Sequence, residues 1–158
     1  MRCMILPLML FAIACQPATT ELTDAQKAEV EQSVRAALPE AIASWYDQAS
    51  IDDYIGHHSD WAGSPWGCSG CESLDGLSTY AQGYWNRWDI DSYEDGEVGV
   101  MVLGPHAAVA KFSSNVAMTD TTGTHREWRF DQAWLMVREA GQWKLMVAKN
   151  TGRRTDTE

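Results

Sequence analysis

The stretch from Glu97 to Thr151 places the strongest constraint on the fold of this chain. It contains four runs rich in Val, Met, Leu, Phe and Trp, and three turn sequences separate them: Gly104-Pro105, Asp120-Thr121-Thr122-Gly123 and Glu139-Ala140-Gly141-Gln142. Glycine, proline and aspartate favour or tolerate the dihedrals of turns. The pattern therefore predicts a four-stranded antiparallel meander, and the preceding segments must cover one face of that sheet.

Two helical patterns precede the meander. Thr23-Asp24-Ala25-Gln26 has the form of a capping box, and apolar residues then recur every three or four positions at Val30, Val34, Leu38, Ala41, Ile42 and Trp45. Pro39 predicts a bend within this one helix. A second helix is expected from Asp75-Gly76 to just before Asp89, with a buried face of Leu77, Tyr80, Ala81, Tyr84 and Trp88.

Helices followed by a curved antiparallel sheet predict an α+β fold. The helices pack on one face of the sheet and close it into a cone. The residues expected to be buried together are Leu38, Ile42, Trp45, Leu77, Tyr84, Val100, Val102, Phe130, Leu135, Leu145 and Val147.

The segment from Ile51 to Glu72 is rich in Gly, Ser and Pro and is expected to be an irregular, functional loop. A histidine beside a carboxylate is the minimal set for acid and base chemistry near neutral pH. In an extended segment His58 and Asp60 would share a side, which favours His58 over His57 as the residue that contacts a ligand. Surface or capping histidines are the alternative.

Tryptophans are unusually frequent, with eight in the chain. Most are explained by core packing. Trp61 and Trp66 lack a regular element to bury them and are candidates for the rim or lid of an aromatic pocket, to which Trp45 would also contribute.

Cys68 and Cys71 form a C-x-x-C motif. In an exported protein this spacing favours a small structural disulfide, so we expect no metal and no cofactor. Two alternatives remain. One is a zinc site completed by His57 or His58 and a carboxylate, and the other is a redox-active pair.

The third strand of the meander alternates between two faces. Arg126, Trp128, Phe130, Gln132, Trp134 and Met136 share one face, and His125, Glu127, Arg129, Asp131, Ala133, Leu135 and Val137 share the other. If the second face points into the cone, Arg129 and Asp131 form a charged pair at the pocket wall, where Asp131 is a candidate catalytic carboxylate. The alternative is an exposed, salt-bridged strand face.

Length and charge limit the classes of function. The 158 residues fit one domain, and 22 acidic residues against 12 Lys and Arg argue against a nucleic-acid partner.

The first fourteen residues have the features of a targeting segment. Arg2 is followed by an apolar stretch that is too short for a retained membrane helix. Leu10 to Cys15 resembles a bacterial lipobox, which predicts a lipid anchor on Cys15; an ordinary secretory signal is the alternative. Gln16 at the next position favours the outer membrane, facing the periplasm.

The expected organisation is a signal peptide at 1–14, a tether at 15–22, a folded domain at 23–151 and a polar tail at 152–158.

The folded domain resembles the nuclear-transport-factor-2-like or SnoaL-like superfamily. The resemblance rests on Gly76 at the middle helix, on the strand-turn-strand sequence 100–109, and on Arg129-Phe130 followed by Gly141-Gln142-Trp143-Lys144-Leu145. It implies a conical pocket and often a dimer across the outer face of the sheet. Two features depart from the family: Lys149 replaces a common histidine, and no Asp or Glu lies between Trp61 and Cys71.

Three functions are consistent with this reading. The first is a binding module for a small, partly apolar molecule. The second is an acid–base enzyme of the dehydratase, isomerase or cyclase type, and the third is a dimeric scaffold without pocket chemistry.

Overall fold

The computed structural model describes residues 21–60 and 71–156. In these ranges three helices, α1 (Asp24–Tyr46), α2 (Ile51–Gly56) and α3 (Leu74–Trp85), precede five strands. The strands are β1 (Trp88–Asp95), β2 (Gly99–Gly104), β3 (Ala107–Asp120), β4 (His125–Glu139) and β5 (Gln142–Arg154). The predicted α+β class is confirmed. Within the described ranges, none of the helices combines the length and the apolar character needed to cross a bilayer.

Helix α1 begins at the predicted capping box. The Thr23 hydroxyl accepts a hydrogen bond from the Gln26 amide at 3.3 Å, and the Gln26 side chain accepts one from the Thr23 amide at 2.9 Å. The helix continues through Pro39, and its buried residues follow the predicted stripe from Val30 to Ile42. This stripe packs on the sheet in the main core cluster.

The sheet is antiparallel, with the order β1-β3-β4-β5. Strands β1 and β2 both pair with β3: β1 pairs with residues Ser114–Asp120 and β2 with residues Ala107–Lys111. The predicted four-strand meander therefore corresponds to β2 through β5, and the long strand β3 joins it to an additional strand.

Strand β1 corrects the predicted end of the second helix. Helix α3 ends at Trp85, and Trp88 begins the strand instead of completing a helical face. The reason is tertiary pairing, because Trp88 to Asp95 forms hydrogen bonds with β3 that a helix could not form. A bulge between Ile90 and Ser92 interrupts the alternation of side chains between the two faces of the strand.

Two further boundaries differ from the sequence prediction. Helix α2 occupies the start of the segment expected to be irregular, and the Ser50 hydroxyl caps it by accepting from the Asp53 amide at 3.2 Å. Strand β5 extends to Arg154, which pairs with Trp128, so residues 152–154 are strand and not tail.

A bulge in β5 changes which residues face the core. Met136 pairs with Leu145 and Leu135 with Val147, so Met146 is an extra residue in β5. Beyond it the inward positions shift by one, and Ala148 is buried in the place expected for Val147. Leu135 and Val147 are only partly buried and belong to neither core cluster, so their predicted place in the core is wrong.

Candidate functional site

A cavity of about 200 Å³ lies between the three helices and the inner face of the sheet. Seven of its lining side chains are aromatic: Trp45, Tyr46, Tyr54, Tyr80, Tyr84, Phe130 and Trp134. The others are Ala41, Ile42, His57, His58, Leu77, Gln132, Leu145 and Asn150. Tyr80 and Asn150 are exposed and mark the mouth of the cavity. None of the described lining residues is an Asp, Glu, Lys or Arg.

The helical wall of the cavity is an aromatic cluster centred on Trp45. The Trp45 ring lies 5.1 Å from the ring of Tyr54 and 5.1 Å from that of Tyr84, at interplanar angles of 48° and 37°. Tilted contacts of this kind are favourable for aromatic side chains. They bring together residues from α1, α2 and α3, so the packing of the helices creates this wall.

The hydroxyls of Tyr46, Tyr54 and Tyr84 in the cavity stay protonated at physiological pH. Burial raises the pKa of Tyr84 to about 12 and also raises the pKa values of Tyr46 and Tyr54. The wall therefore offers neutral phenol groups.

Strand β4 supplies the opposite wall through Phe130, Gln132 and Trp134. Arg129 and Asp131 alternate with these residues and lie on the outer face, where Arg129 Nε is 3.4 Å from an Asp131 carboxylate oxygen. The two-residue period of the strand keeps both side chains away from the cavity. The predicted pocket position of this pair is therefore wrong, and the alternative of an exposed salt bridge describes it correctly.

A partly buried hydrogen-bond network fixes the orientation of Gln132. Trp134 Nε1 donates to the Gln132 side-chain carbonyl at 2.9 Å, and the Gln132 amide donates to the hydroxyls of Ser114 at 3.0 Å and Tyr46 at 3.2 Å. Ser114 donates in turn to Asp95 at 2.6 Å. These bonds hold the main polar groups of the sheet wall in one arrangement.

His58 lies just beyond α2 and lines the cavity. Its Nδ1 is 2.9 Å from the Tyr54 carbonyl, and its ring meets the Tyr54 ring edge-on at 4.5 Å. Burial lowers the pKa of His58 to about 4, with smaller contributions from the charges of His57 and Lys144, so the imidazole is neutral at pH 7.

Asp60 is exposed and does not line the cavity. The expectation that it shares a side with His58 assumed an extended segment. The chain instead leaves α2 through a turn, and the backbone of His57 and Ser59 bonds to Leu145 of β5. Of the three sequence candidates for acid–base chemistry, His58, Asp60 and Asp131, the structure brings only His58 to the cavity.

Several predicted residues lie outside the described part of the chain: Cys15, Trp61, Trp66 and Cys68. Cys71 is described. It is disulfide-bonded and buried, and it packs in a second core cluster with Tyr54, Leu77 and Ala81. Among the described residues, no group of three or more His, Cys, Asp or Glu side chains could hold a metal ion.

Sequence reasoning missed Tyr46, Tyr54 and Gln132 as cavity residues. The usable signal for Gln132 was its place on the more aromatic face of β4, beside Phe130 and Trp134. Tyr54 carried no comparable signal, because α2 was not predicted.

Solved structures with the same fold include three from bacteria. A ketosteroid isomerase-like protein from Erwinia carotovora atroseptica has 18% identity and a TM-score of 0.65, and the match covers 77% of this chain and 94% of that one. Hexachlorocyclohexane dehydrochlorinase LinA-type3 from Novosphingobium barchaimii has 10% identity and a TM-score of 0.70, covering 84% and 93%. A protein assigned as a scytalone dehydratase from Novosphingobium aromaticivorans has 10% identity and a TM-score of 0.72, covering 86% and 93%.

Comparisons with protein-family models and with curated proteins give no match. At these identities the structural likeness establishes the fold alone. The chain has the cone-shaped α+β fold that the sequence predicts and that these solved structures share.

Proposed function

We propose that this protein binds a small, partly apolar molecule in the cavity between its helices and its sheet. The observation that carries this proposal is the cavity of about 200 Å³ with seven aromatic side chains and a few fixed polar groups. Concave, largely apolar sites with a small number of oriented polar groups are typical of small-molecule binding.

An acid–base enzyme is the second candidate. It is favoured by the position of His58 in the cavity and by the names of the structural relatives, which include an isomerase-like protein and a dehydrochlorinase. Proton transfer of this type usually needs a second group within reach of the substrate. Asp60 and Asp131 lie elsewhere, and the described lining contains no other carboxylate, so the binding function has the stronger support.

The scaffold alternative has less support, because the Trp side chains do not fill the cavity. The homodimer that the resemblance implies stays a prediction. Sedimentation of the purified domain measures it directly.

The binding function is tested by incubating the purified protein with a metabolite extract and identifying retained molecules by mass spectrometry. Ala41 lines the cavity, so Ala41→Phe should fill it and abolish retention. Ala36 is exposed on the same helix, and Ala36→Phe is the matched control that should retain the ligand. If the wild type retains no molecule, or if both variants retain the same amount of ligand, the cavity is not a binding site for a small molecule.

The cellular location forms a separate part of the proposal. We propose that Cys15 carries a lipid that anchors the protein in the cell envelope, in the outer membrane facing the periplasm; the support is the lipobox-like sequence before Cys15. Cys15→Ser should yield a soluble or uncleaved form in fractionation. Unchanged processing and membrane association of this variant would contradict the anchor.

A further inference from the structure

The aromatic rings of the cavity come from all of its walls. Trp45 and Tyr46 lie on α1, Tyr54 on α2, Tyr84 on α3, and Phe130 and Trp134 face them from β4. The rings around Trp45 are tilted against one another at 37° to 53°. A ligand in the centre therefore meets aromatic side chains on both the helical side and the sheet side.

The cavity is also poor in charged side chains. Its described lining contains no Asp, Glu, Lys or Arg. Burial keeps the His58 imidazole neutral, since it lowers the pKa of that group to about 4. A buried anion would find no Lys or Arg side chain among the described lining residues, and aromatic faces carry negative potential, so an anionic ligand is disfavoured.

A cation in this cavity can be stabilised by the ring faces alone only if it gives up its water easily. Primary ammonium groups are compact and strongly hydrated, and the described lining offers no carboxylate to replace the lost water. Quaternary ammonium groups are large and weakly hydrated, and aromatic cages are a recurrent way of recognising them. The overall charge of −10 further favours the approach of a cation over that of an anion.

We infer that the molecule bound in this aromatic cavity is a small organic cation with a quaternary ammonium or similarly weakly hydrated head group. This inference rests on the proposed binding function and adds the chemical class of the ligand. The head group is surrounded by the rings of Trp45, Tyr84, Phe130 and Trp134, and the hydroxyl of Tyr46 and the side-chain carbonyl of Gln132 contact a polar substituent of the same molecule.

The test compares two probes of nearly identical shape. Choline carries a trimethylammonium group, and 3,3-dimethylbutan-1-ol carries a neutral tert-butyl group in its place. Calorimetric titration of the purified protein should give an affinity for choline about tenfold or more above that for the neutral alcohol, because cation–π contacts strengthen when the cation is desolvated. Tetramethylammonium should compete with choline, and sodium and potassium should not.

Matched variants separate the effect of the ring faces from that of the hydroxyls. Tyr84→Phe keeps the ring and should retain the preference for choline, whereas Tyr84→Leu and Trp45→Leu should reduce it severalfold or more. Circular dichroism and melting temperature establish that each variant is folded. If Tyr84→Phe loses the preference as completely as Tyr84→Leu, the rings do not recognise the charge.

The remaining outcomes separate a failure of the cationic ligand class from a failure of the proposed binding function. Equal or tighter binding of the neutral alcohol overturns the cationic ligand class and leaves the binding function standing. Failure of both probes, together with retention of a neutral or anionic molecule from the extract, overturns the class in the same way. Failure of both probes and retention of nothing from the extract overturns both proposals.

Discussion

The side-chain amide of Gln132 donates a hydrogen bond to the Ser114 hydroxyl at 3.0 Å and thereby connects the cavity wall to Asp95. The direction of each bond follows from chemistry. The indole N–H of Trp134 can only donate, so it fixes the Gln132 carbonyl, and the Asp95 carboxylate accepts a hydrogen bond from the Ser114 hydroxyl. The Gln132 amide nitrogen must then face Ser114 and Tyr46. The polar part of the cavity is thus set by residues on β1, β3 and β4.

Ser114→Ala should destabilise the protein by about 1–3 kcal/mol, because Ser114 is fully buried and both Asp95 and Gln132 would lose a partner. Urea denaturation measures the change. Ser92 is exposed on β1, and Ser92→Ala should stay within about 0.5 kcal/mol of the wild type. Equal effects of the two substitutions would show that the network contributes little.

The meander and helix α1 could be predicted because their signals are local. The three turn sequences and the capping box beginning at Thr23 act over four residues or fewer, and the structure has them where the sequence places them. Strand β1 could not be predicted in this way, since Trp88 to Asp95 becomes a strand only by pairing with residues that lie 19 to 32 positions later in the chain.

The cavity was less predictable than the fold. Alternation separates the Phe130 face from the Arg129 face of β4, but both faces mix charged and apolar residues, and only the packed helices decide which one is inside. The bulge at Met146 could not be predicted either. One extra residue changes which positions of β5 face the core, and no sequence signal as clear as a turn marks it.

The buried His58 predicts a pH dependence of folding. The pKa of His58 falls from 6.5 to about 4 on folding because burial disfavours the imidazolium. The unfolded state therefore binds more protons between pH 6.5 and 4, and the free energy of unfolding decreases as the pH falls through this window, by about 3 kcal/mol from this group at its lower end. Above pH 6.5 both states are neutral at this position.

Denaturation at a series of pH values tests whether the free energy of unfolding decreases as the pH falls. The difference between wild type and His58→Gln should vary with pH between 6.5 and 4. A constant difference between wild type and His58→Gln across the window would contradict the buried, neutral imidazole.

Leu145→Ala should cost about 2–5 kcal/mol of unfolding free energy. Leu145 is 2% exposed, it lines the cavity, and its backbone bonds to His57 and Ser59, so truncation leaves a void where β5 meets the segment after α2. Leu103 is 55% exposed on β2 and provides the control, because Leu103→Ala removes little buried side-chain surface and should change the free energy of unfolding only slightly. A change within error at Leu145 would mean that the packing of β5 is misassigned.

Gly152 is required by the aromatic pair on the inner face of β4. A Cβ atom at this position would lie 2.6 Å from Phe130 Cε1 and 3.3 Å from Trp128, whose rings are stacked at 5.9 Å. Gly152→Ala should therefore destabilise the protein by about 1–3 kcal/mol through overpacking. Gly83 of α3 has no atom within 4 Å of such a Cβ, and Gly83→Ala should instead stabilise the helix by about 0.5–1 kcal/mol. Thermal melts that give both changes the same sign would refute this account.

The disulfide of Cys71 predicts a local effect of reduction on the cavity. Cys71 is buried against Tyr54 and Leu77, and both of these residues line the cavity. Cys68 is the predicted partner, and a ring closed over three residues constrains the unfolded chain only slightly. Reduction should therefore leave the global unfolding midpoint nearly unchanged while it weakens ligand binding and increases hydrogen exchange around Tyr54 and Leu77.

Peptide mapping by mass spectrometry, with thiol labelling before and after reduction, identifies the partner of Cys71 in protein isolated from the envelope. We expect a Cys68–Cys71 crosslink and no labelled thiol at either position until reductant is added. Cys68→Ser should then free Cys71 for labelling in denaturant, whereas the Ser69→Ala control should leave the crosslink intact. A disulfide is unavailable to zinc, because zinc is bound by thiolates. Stoichiometric zinc with both cysteines labelled on denaturation would overturn the disulfide and make His57 and His58 the next ligands to mutate.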